Sequence, residues 1–190
     1  MNNRDFLDSS VLIEYYKATR TDLLEALLDA AEPQLLVQSG STEIITSTGE
    51  ILSVEPGNLK KKSIFDLCIC QTVISEYLLH CLIFDSGEKS PLTIKESGKI
   101  ASLIALNDHS VFLNLFRYLP DNNRIVNLAP GFMAKYNLLP NDALILSICA
   151  IYEIKALASY DATDFGPACS IEGITLLQSV TDLEDYNSNL

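Results

Sequence analysis

The chain has 190 residues, 48% of them hydrophobic, and a formal net charge of −12. This length suits one domain with a buried core, and the charge argues against the broad basic surface of most nucleic-acid binders. A small site that handles phosphate through a metal ion is still compatible with it. The best apolar run, residues 143–152, is about half of the ~20 residues that a bilayer span needs. The N-terminus also lacks a signal-peptide core, so we expect a cytoplasmic protein without a membrane segment.

The first informative stretch is Arg4–Tyr16. A short apolar run ends at Asp8, two serines follow as Ser9 and Ser10, and apolar residues then recur at helical spacing. This pattern predicts a buried strand, a tight turn and a helix. Ligands of open α/β sheets bind just past the carboxyl ends of strands, but aspartate is also a common helix cap. Asp8 alone therefore fits either role.

A helix is predicted over residues 21–31, and the character of the chain then changes. β-Branched residues on both sides of Thr48 and Gly49 predict a β-hairpin near residues 43–54. The run Lys60–Lys62 that follows is expected to be a solvated loop, although it could also steer phosphate.

Five cysteines occur in this chain, at Cys68, Cys70, Cys81, Cys149 and Cys169. Their odd number and their place inside apolar runs predict reduced core thiols rather than a disulfide framework. No second Cys/His pair at zinc spacing accompanies the first two. We therefore do not expect a structural zinc site.

A second acid follows a second predicted strand. Residues 67–73 have the pattern of a buried strand, Ser75 is expected to begin a helix, and Glu76 then falls in its first turn. Two further helices are predicted over residues 93–106 and 109–119. We assign them no chemistry.

The last third of the chain supplies two more acids. A short strand is predicted at residues 124–127, Pro130 is expected to open a helix over residues 131–137, and a strong helix is predicted over residues 138–155. In that helix Asn141 is expected to be the cap and Asp142 lies in the first turn. A buried strand at residues 156–159 then leads directly to Asp161, and residues 174–177 are expected to form an edge strand.

Four acids, Asp8, Glu76, Asp142 and Asp161, therefore stand at predicted strand-to-helix junctions or first helical turns. If the strands are parallel neighbours, these junctions share one edge of the sheet. Carboxylates that converge repel one another unless a cation compensates them, and oxygen ligands favour Mg²⁺ or Mn²⁺. The alternative is that each acid only caps a helix or favours its dipole.

Four motifs, taken in their order along the chain, resemble those of the PIN-domain nucleases. Within that family they are most similar to the VapC-type toxins of bacterial toxin–antitoxin pairs. They are D-S-S-V-L-I, T-V-I-S-E-Y-L, N-D-A-L-I-L-S-I-C-A and S-Y-D-A-T-D-F. The resemblance implies a three-layer α/β/α sandwich with a mostly parallel central sheet, here with an inserted hairpin near residues 43–54. We expect one such domain over residues 1–180, followed by an acidic tail at residues 181–190.

The resemblance also implies Mg²⁺- or Mn²⁺-dependent hydrolysis of RNA phosphodiester bonds. By motif position, Asp8, Glu76, Asp142 and Asp161 match the acids of the metal site, and these four are our catalytic and metal-binding candidates. Ser10 matches a small polar residue that supports the first acid. Asp164, the acid before the phenylalanine of the last motif, is interpreted as structural.

A small antitoxin and a homodimer are the implied partners, besides RNA. The chain departs from the family at Tyr160, where a basic residue is usual, so RNA binding is expected to depend on a few residues such as Lys17, Arg20 and Lys135. Two other functions stay open from the sequence: a PIN-like binding or scaffold module with weak or no nuclease activity, and a nuclease that acts on structured DNA.

Overall fold

The computed structural model describes residues 3–31, 43–45, 51–53 and 65–189. Five strands form one parallel sheet in the order β5-β4-β1-β6-β7, and two more form a separate antiparallel pair. In chain order the strands are β1 (Asn3–Leu7), β2 (Glu43–Ile45), β3 (Ile51–Ser53), β4 (Phe65–Ile69), β5 (Arg117–Tyr118), β6 (Ala156–Ala158) and β7 (Thr175–Leu177).

Helices connect the parallel strands, as the alternating pattern predicted. They are α1 (Ser9–Tyr16), α2 (Asp22–Ala30), α3 (Gln71–Ser86), α4 (Pro91–Glu96), α5 (Ile100–Leu106), α6 (His109–Leu113), α7 (Asn123–Tyr136), α8 (Pro140–Ile151), α9 (Ala162–Glu172) and α10 (Val180–Ser188). The molecule is an α/β sandwich with a parallel central sheet, which confirms the predicted fold class.

Strand β1 is the centre of this sheet. It pairs in parallel with β4 on one side and β6 on the other, with Phe6 opposite both Cys68 and Leu157. Phe6 and Leu7 are completely buried, as expected for a parallel sheet that is covered on both faces. The backbone N–H of Asp8 donates to the carbonyl of Ala158 at 2.9 Å. This bond places Asp8 at the carboxyl edge of the sheet beside the end of β6.

The predicted hairpin is confirmed for the residues that the structure describes. Strands β2 and β3 pair antiparallel, with Ile44 opposite Leu52. The pair is a sheet of its own and is not hydrogen-bonded to the central one. The turn between the strands and the run Lys60–Lys62 lie outside the described residues.

The strand predicted at residues 124–127 is wrong, as is the helix start after Pro130. Residues 123–136 form the single helix α7, and Pro130 lies inside it. The Asn122 side chain caps this helix by accepting from the N–H groups of Arg124 and Ile125. Ile125, Ala129 and Phe132 are buried at helical spacing. This buried stripe and the cap outweigh both the β-branched pair of residues 125–126 and the hydrogen bond that proline cannot donate.

Three further boundaries differ from the predicted ones. Helix α3 begins at Gln71 instead of Ser75, so Glu76 lies in the second turn rather than the first. The helix predicted over residues 93–106 is divided into α4 and α5, with Gly98 at a φ of +67° between them. A left-handed glycine of this kind is a common end to a helix. After α6 the chain joins the central sheet as β5, so the helix predicted to continue to residue 119 is wrong there.

The residues predicted to form an acidic tail instead form α10. Ser179 caps the helix by accepting from the N–H of Asp182 at 3.2 Å. Leu183 and Tyr186 share one face and are buried against α2 and β7. Their spacing of three residues on a short amphipathic helix explains why an acidic segment is ordered here.

All five cysteines are buried and free, which confirms the prediction of reduced core thiols. Burial raises the pKa of the Cys70, Cys81 and Cys169 thiols to about 11. The thiols are therefore protonated and unreactive near neutral pH. Among the described helices, none combines the length and the apolar character needed to cross a membrane.

Candidate functional site

Asp8 lies one residue past β1 and is almost completely buried. Its Oδ2 atom accepts three hydrogen bonds: from Ser10 Oγ at 2.6 Å, from Ser159 Oγ at 2.8 Å and from the Ser10 N–H at 3.3 Å. The last of these is the cap of α1. Burial raises the pKa of the Asp8 carboxyl, and the hydrogen bonds oppose this rise only in part. The cap and the buried site acid are thus the same residue.

The second oxygen of Asp8 is much less engaged. Ser9 Oγ lies 3.5 Å from Asp8 Oδ1 but 2.7 Å from Glu76 Oε2. A hydroxyl has one proton to donate, so Ser9 donates it to Glu76. Within the described chain, Oδ1 has no short hydrogen-bond donor and is the Asp8 atom best placed to contact a ligand.

Glu76 projects from α3 and has a donor for each of its oxygens. Ser9 of α1 donates to Oε2, and the Asn141 side chain of α8 donates to Oε1 at 2.5 Å. Asn141 was predicted to be the helix cap, but Leu139 occupies that position and Pro140 begins the helix. The Asn141 amide instead fixes the Glu76 side chain.

Asp142 is half-buried in the first turn of α8. Its pKa is raised to about 6 by burial first and then by the negative charges of Asp8, Asp164, Glu76 and Asp161. A helix N-terminus stabilises the ionised form, so burial and the neighbouring carboxylates outweigh the dipole. The four predicted acids therefore do come together at the carboxyl edge of the sheet.

Asp161 and Asp164 belong to the same helix start. Asp161 is exposed and caps α9, because its Oδ1 accepts from the Asp164 N–H at 3.2 Å. Asp164 was interpreted as structural, yet its charge raises the pKa of Asp142 more than that of Glu76 or Asp161 does. We call Asp8, Glu76, Asp142, Asp161 and Asp164 the acid cluster.

Two serines connect β1 and β6 below the acid cluster. Ser159 donates its hydroxyl to Asp8 and accepts from the N–H of Asp161 at 3.0 Å. Ser10 donates its hydroxyl to Asp8 and accepts from the N–H of Tyr160 at 3.1 Å. Ser10 was predicted as a support of the first acid, whereas the hydrogen bonds of Ser9, Ser159 and Asn141 to the acids were not predicted. For Ser159 the position was a hint, since it ends a buried strand two residues before an acid.

The donor set of the acid cluster suits a hard divalent cation. All its members offer carboxylate oxygens, and in the described structure none of the five forms a salt bridge with lysine or arginine. Among the same residues, no group of three or more His, Cys, Asp or Glu side chains is placed to hold a metal ion. Mg²⁺ typically binds through only one or two carboxylates and keeps several waters. The residues therefore fit such an ion in an open site.

The basic candidates differ in how they are held. The Nζ atom of Lys17 lies 3.7 Å from Oε1 of Glu14, and the Nζ atom of Lys135 lies 2.9 Å from Oε1 of Glu172. The Arg20 guanidinium instead lies over the ring of Tyr160, 3.5 Å from its centroid. Arg20 thus approaches the residue that separates β6 from Asp161.

The chain matches a known family of protein domains. The model of the PIN domain matches residues 50–165, more than half of the chain. The chain belongs to the PIN domain family. The matched segment contains four members of the acid cluster, from Glu76 to Asp164, while Asp8 lies before it.

Two curated relatives of this PIN domain come from Methanocaldococcus jannaschii. Ribonuclease VapC6 is 40% identical over 116 residues, which are 57% of this chain and 75% of that protein. Ribonuclease VapC2 is 36% identical over 89 residues, which are 47% of this chain and 59% of that protein. Both relatives are thus named as ribonucleases.

A solved structure shares the fold. A chain of a toxin–antitoxin complex from Klebsiella pneumoniae superimposes on this PIN domain with a TM-score of 0.51. The match covers 92% of this chain and 96% of the other, at 14% sequence identity. At that identity the likeness concerns the fold alone.

Proposed function

We propose that this PIN domain is a Mg²⁺- or Mn²⁺-dependent endoribonuclease and the toxin of a toxin–antitoxin pair. The observation that carries the proposal is the convergence of the acids: Ser9 Oγ lies between the Asp8 and Glu76 carboxylates, and the charges of four carboxylates add to burial in raising the pKa of Asp142. Such repulsion is relieved by a cation, and a cation among carboxylates can bind a phosphate oxygen. The names of the two curated relatives support RNA as the substrate.

In the proposed mechanism Asp8, Glu76 and Asp142 would hold the ion. When bound, the ion would neutralise the developing charge on the phosphate and help to activate the attacking water. Ser10 and Ser159 fix Oδ2 of Asp8 and leave Oδ1 for the ligand. Ser9 and Asn141 fix the two oxygens of Glu76. The more peripheral acids, Asp161 and Asp164, are left to orient the water and the substrate.

The test is cleavage of single-stranded RNA in Mg²⁺ or Mn²⁺ by the parent protein and by Asp142→Asn. We expect the variant to lose most of the activity, since a carboxylate that holds such an ion contributes several kcal/mol. Asp29→Asn, at an exposed site on α2, is the matched control and is expected to cleave like the parent. Activity of Asp142→Asn equal to that of the parent would contradict the assignment.

The same assay separates the alternative functions. A parent protein that cleaves neither RNA nor DNA in either metal would favour the binding or scaffold module. A parent that digests structured DNA and leaves RNA intact would favour the DNA nuclease. Cleavage of RNA that depends on Mn²⁺ and on Asp142 would exclude the scaffold module.

A small antitoxin and a second copy of the chain are the proposed protein partners, and the cytoplasm is the proposed location. The support for an antitoxin is that the chain shares its fold with a member of a toxin–antitoxin complex. Exposed apolar side chains on α4–α6, such as Leu92, Leu106 and Val111, leave surface for such contacts. Co-purification of a short protein that silences cleavage, and light scattering of the isolated chain, test the two partners.

A further inference from the structure

Arg20 is held in one orientation by two contacts. Its guanidinium carbon lies 3.5 Å from the centroid of the Tyr160 ring, a cation–π distance. Its Nη2 atom donates to the carbonyl of Gln178 at 3.2 Å. Arg20 is exposed on the loop between α1 and α2, so its remaining N–H donors face solvent. The side chain is therefore fixed in position but not saturated with hydrogen bonds.

Tyr160 connects this cation to the acid cluster. Its backbone N–H donates to Ser10 Oγ at 3.1 Å, and Ser10 Oγ donates to Asp8 Oδ2 at 2.6 Å. Asp161 follows directly in sequence. The ring under Arg20 thus belongs to a residue whose backbone lies between Ser10 and Asp161. The Arg20 guanidinium therefore lies beside the carboxyl edge of the sheet.

The other candidate cations are used differently. Lys17 pairs with Glu14, and Lys135 pairs with Glu172 and also lies over the ring of Tyr136. In the described part of the chain, Arg20 forms no salt bridge with a carboxylate. A guanidinium without a salt bridge, at the same edge of the sheet as the acid cluster, has the charge and the fork of donors that bind phosphate.

We propose that Arg20, oriented by the face of Tyr160, binds a backbone phosphate of the RNA strand whose scissile bond lies at the acid cluster. The inference rests on the proposed ribonuclease function and deepens it by naming the substrate-binding residue. A phosphate contact positions the strand without reading its sequence. It also supplies, at the same edge of the sheet as the acid cluster, an attraction for phosphate that the net charge of −12 denies to the surface as a whole.

The surroundings of the Tyr160 hydroxyl allow the role of the aromatic ring to be tested separately from that of the hydroxyl group. This oxygen is buried and has no hydrogen-bond partner among the described residues, so it makes no contact that holds Arg20. Tyr160→Phe is therefore expected to keep the platform, whereas Tyr160→Leu removes the aromatic face. The pair isolates the cation–π contact from the general packing of the site.

The experiment measures binding of a fluorescein-labelled single-stranded RNA in EDTA, where no cleavage occurs, over a range of salt concentrations. For Arg20→Gln we expect a weaker Kd and a plot of log K against log salt whose slope is smaller by about 0.7, the loss of one phosphate contact. Arg20→Lys, which keeps the charge, is expected to keep most of the slope. Lys95→Gln, at an exposed lysine of α4, is the matched control and is expected to bind like the parent.

The tyrosine variants and the kinetics complete the test. We expect Tyr160→Phe to bind like the parent and Tyr160→Leu to bind more weakly. In cleavage assays with Mn²⁺, Arg20→Gln is expected to raise KM and to leave kcat nearly unchanged. A purely structural role for Arg20 would lower the melting temperature without changing the salt slope.

The outcomes distinguish this inference from the function on which it rests. An unchanged Kd and slope for Arg20→Gln, or an equal loss in Lys95→Gln, overturns the role of Arg20 while RNA cleavage by the parent still stands. A parent that neither binds nor cleaves RNA removes both proposals. If Arg20→Gln does not fold, Arg20→Lys decides the test. Because this variant keeps the positive charge, a salt slope as small as that expected for the loss of one phosphate contact would overturn the inference.

Discussion

Two buried aspartates, Asp5 within the central strand β1 and Asp8 just past its end, have very different surroundings. Asp5 is 1% exposed and Asp8 is 5% exposed, and burial raises the pKa of both carboxyls. Asp8 receives three hydrogen bonds on one oxygen, the shortest at 2.6 Å. Among the described residues, Asp5 accepts one side-chain hydrogen bond, from the hydroxyl of Tyr186 at 3.5 Å.

The difference lies in what each position can reach. Asp8 stands at the carboxyl edge of the sheet, where loops and helix starts bring serines and other acids to it. Asp5 lies inside β1, where strand neighbours leave room only for the end of one tyrosine from α10. The aspartate at the sheet edge is therefore held in position to bind a ligand. The aspartate three residues earlier has few groups that could stabilise its ionised form. Burial alone does not identify a site; the donors around the carboxylate do.

The largest expected effect is on catalysis. We expect Asp8→Asn to reduce RNA cleavage by at least about 10³-fold, since holding the ion contributes several kcal/mol. Asp5→Asn, an equally buried change three residues earlier in β1, is expected to keep cleavage within a few-fold of the parent. Initial rates in Mn²⁺ with circular dichroism of both variants check the comparison.

Similar losses of activity in both variants, with the fold intact, would contradict the distinction between the two aspartates. A folded Asp8→Asn that cleaves like the parent would contradict the role of Asp8 itself.

The next effect concerns stability. The pKa of Asp5 is raised to about 7 in the folded chain from an ordinary value of 3.8. The folded chain thus keeps this proton up to about pH 7, while the unfolded chain releases it near pH 4. The contribution of Asp5 is most favourable below pH 4, declines as the pH rises, and reaches its lower plateau above pH 7. The span corresponds to at most about 4 kcal/mol.

Asp5→Asn removes this titration. The free energy of unfolding of the parent minus that of the variant is expected to fall between pH 4 and pH 8, as measured by urea unfolding. A difference that stays constant across this range would show that the Asp5 pKa is not raised.

The sequence predicted the parts of the fold that depend on local patterns. The apolar run before Asp8, the amphipathic stripe of α2 and the hairpin signal at Thr48 and Gly49 each led to the observed element. The predictions from the sequence were wrong where tertiary packing determines the secondary structure. Pro130 lies inside α7 because the buried face of that helix compensates for the lost bond. Helix α10 is ordered because Leu183 and Tyr186 are buried against α2 and β7. Neither contact is visible in a local pattern.

The acids of the site were predictable, but their supports were not. Asp8, Glu76, Asp142 and Asp161 come from short motifs at strand ends, so order along the chain was sufficient to select them. Ser159 and Asn141 act on residues that are 151 and 65 positions away in sequence. Asp164 was assigned a structural role because its motif neighbour is a core phenylalanine. Its place in the acid cluster follows only from how α9 approaches α8.

A smaller effect is expected from the serines that distinguish Asp8 from Asp5. Ser159→Ala and Ser10→Ala each remove one donor from Oδ2 of Asp8. We expect each to lower cleavage by roughly 10–100-fold, the usual effect of residues that orient a metal ligand. The apparent affinity for Mn²⁺, from activity against metal concentration, is expected to weaken as well. Ser102→Ala, at an exposed serine of α5, is the control, and equal losses there would contradict the interpretation.

The smallest effect is expected where Asp5 has its single donor. Tyr186→Phe removes the hydroxyl that opposes the rise in the Asp5 pKa, so that pKa should rise further. At pH 5 the carboxyl is protonated in both proteins, and the loss of stability should be small. At pH 8 it is charged, and we expect a loss of about 1 kcal/mol, because the ionised form has lost its donor. Urea unfolding at the two pH values measures this contrast. An equal loss at both would mean that Tyr186 stabilises the chain by packing alone and that Asp5, unlike Asp8, is not solvated by any side chain.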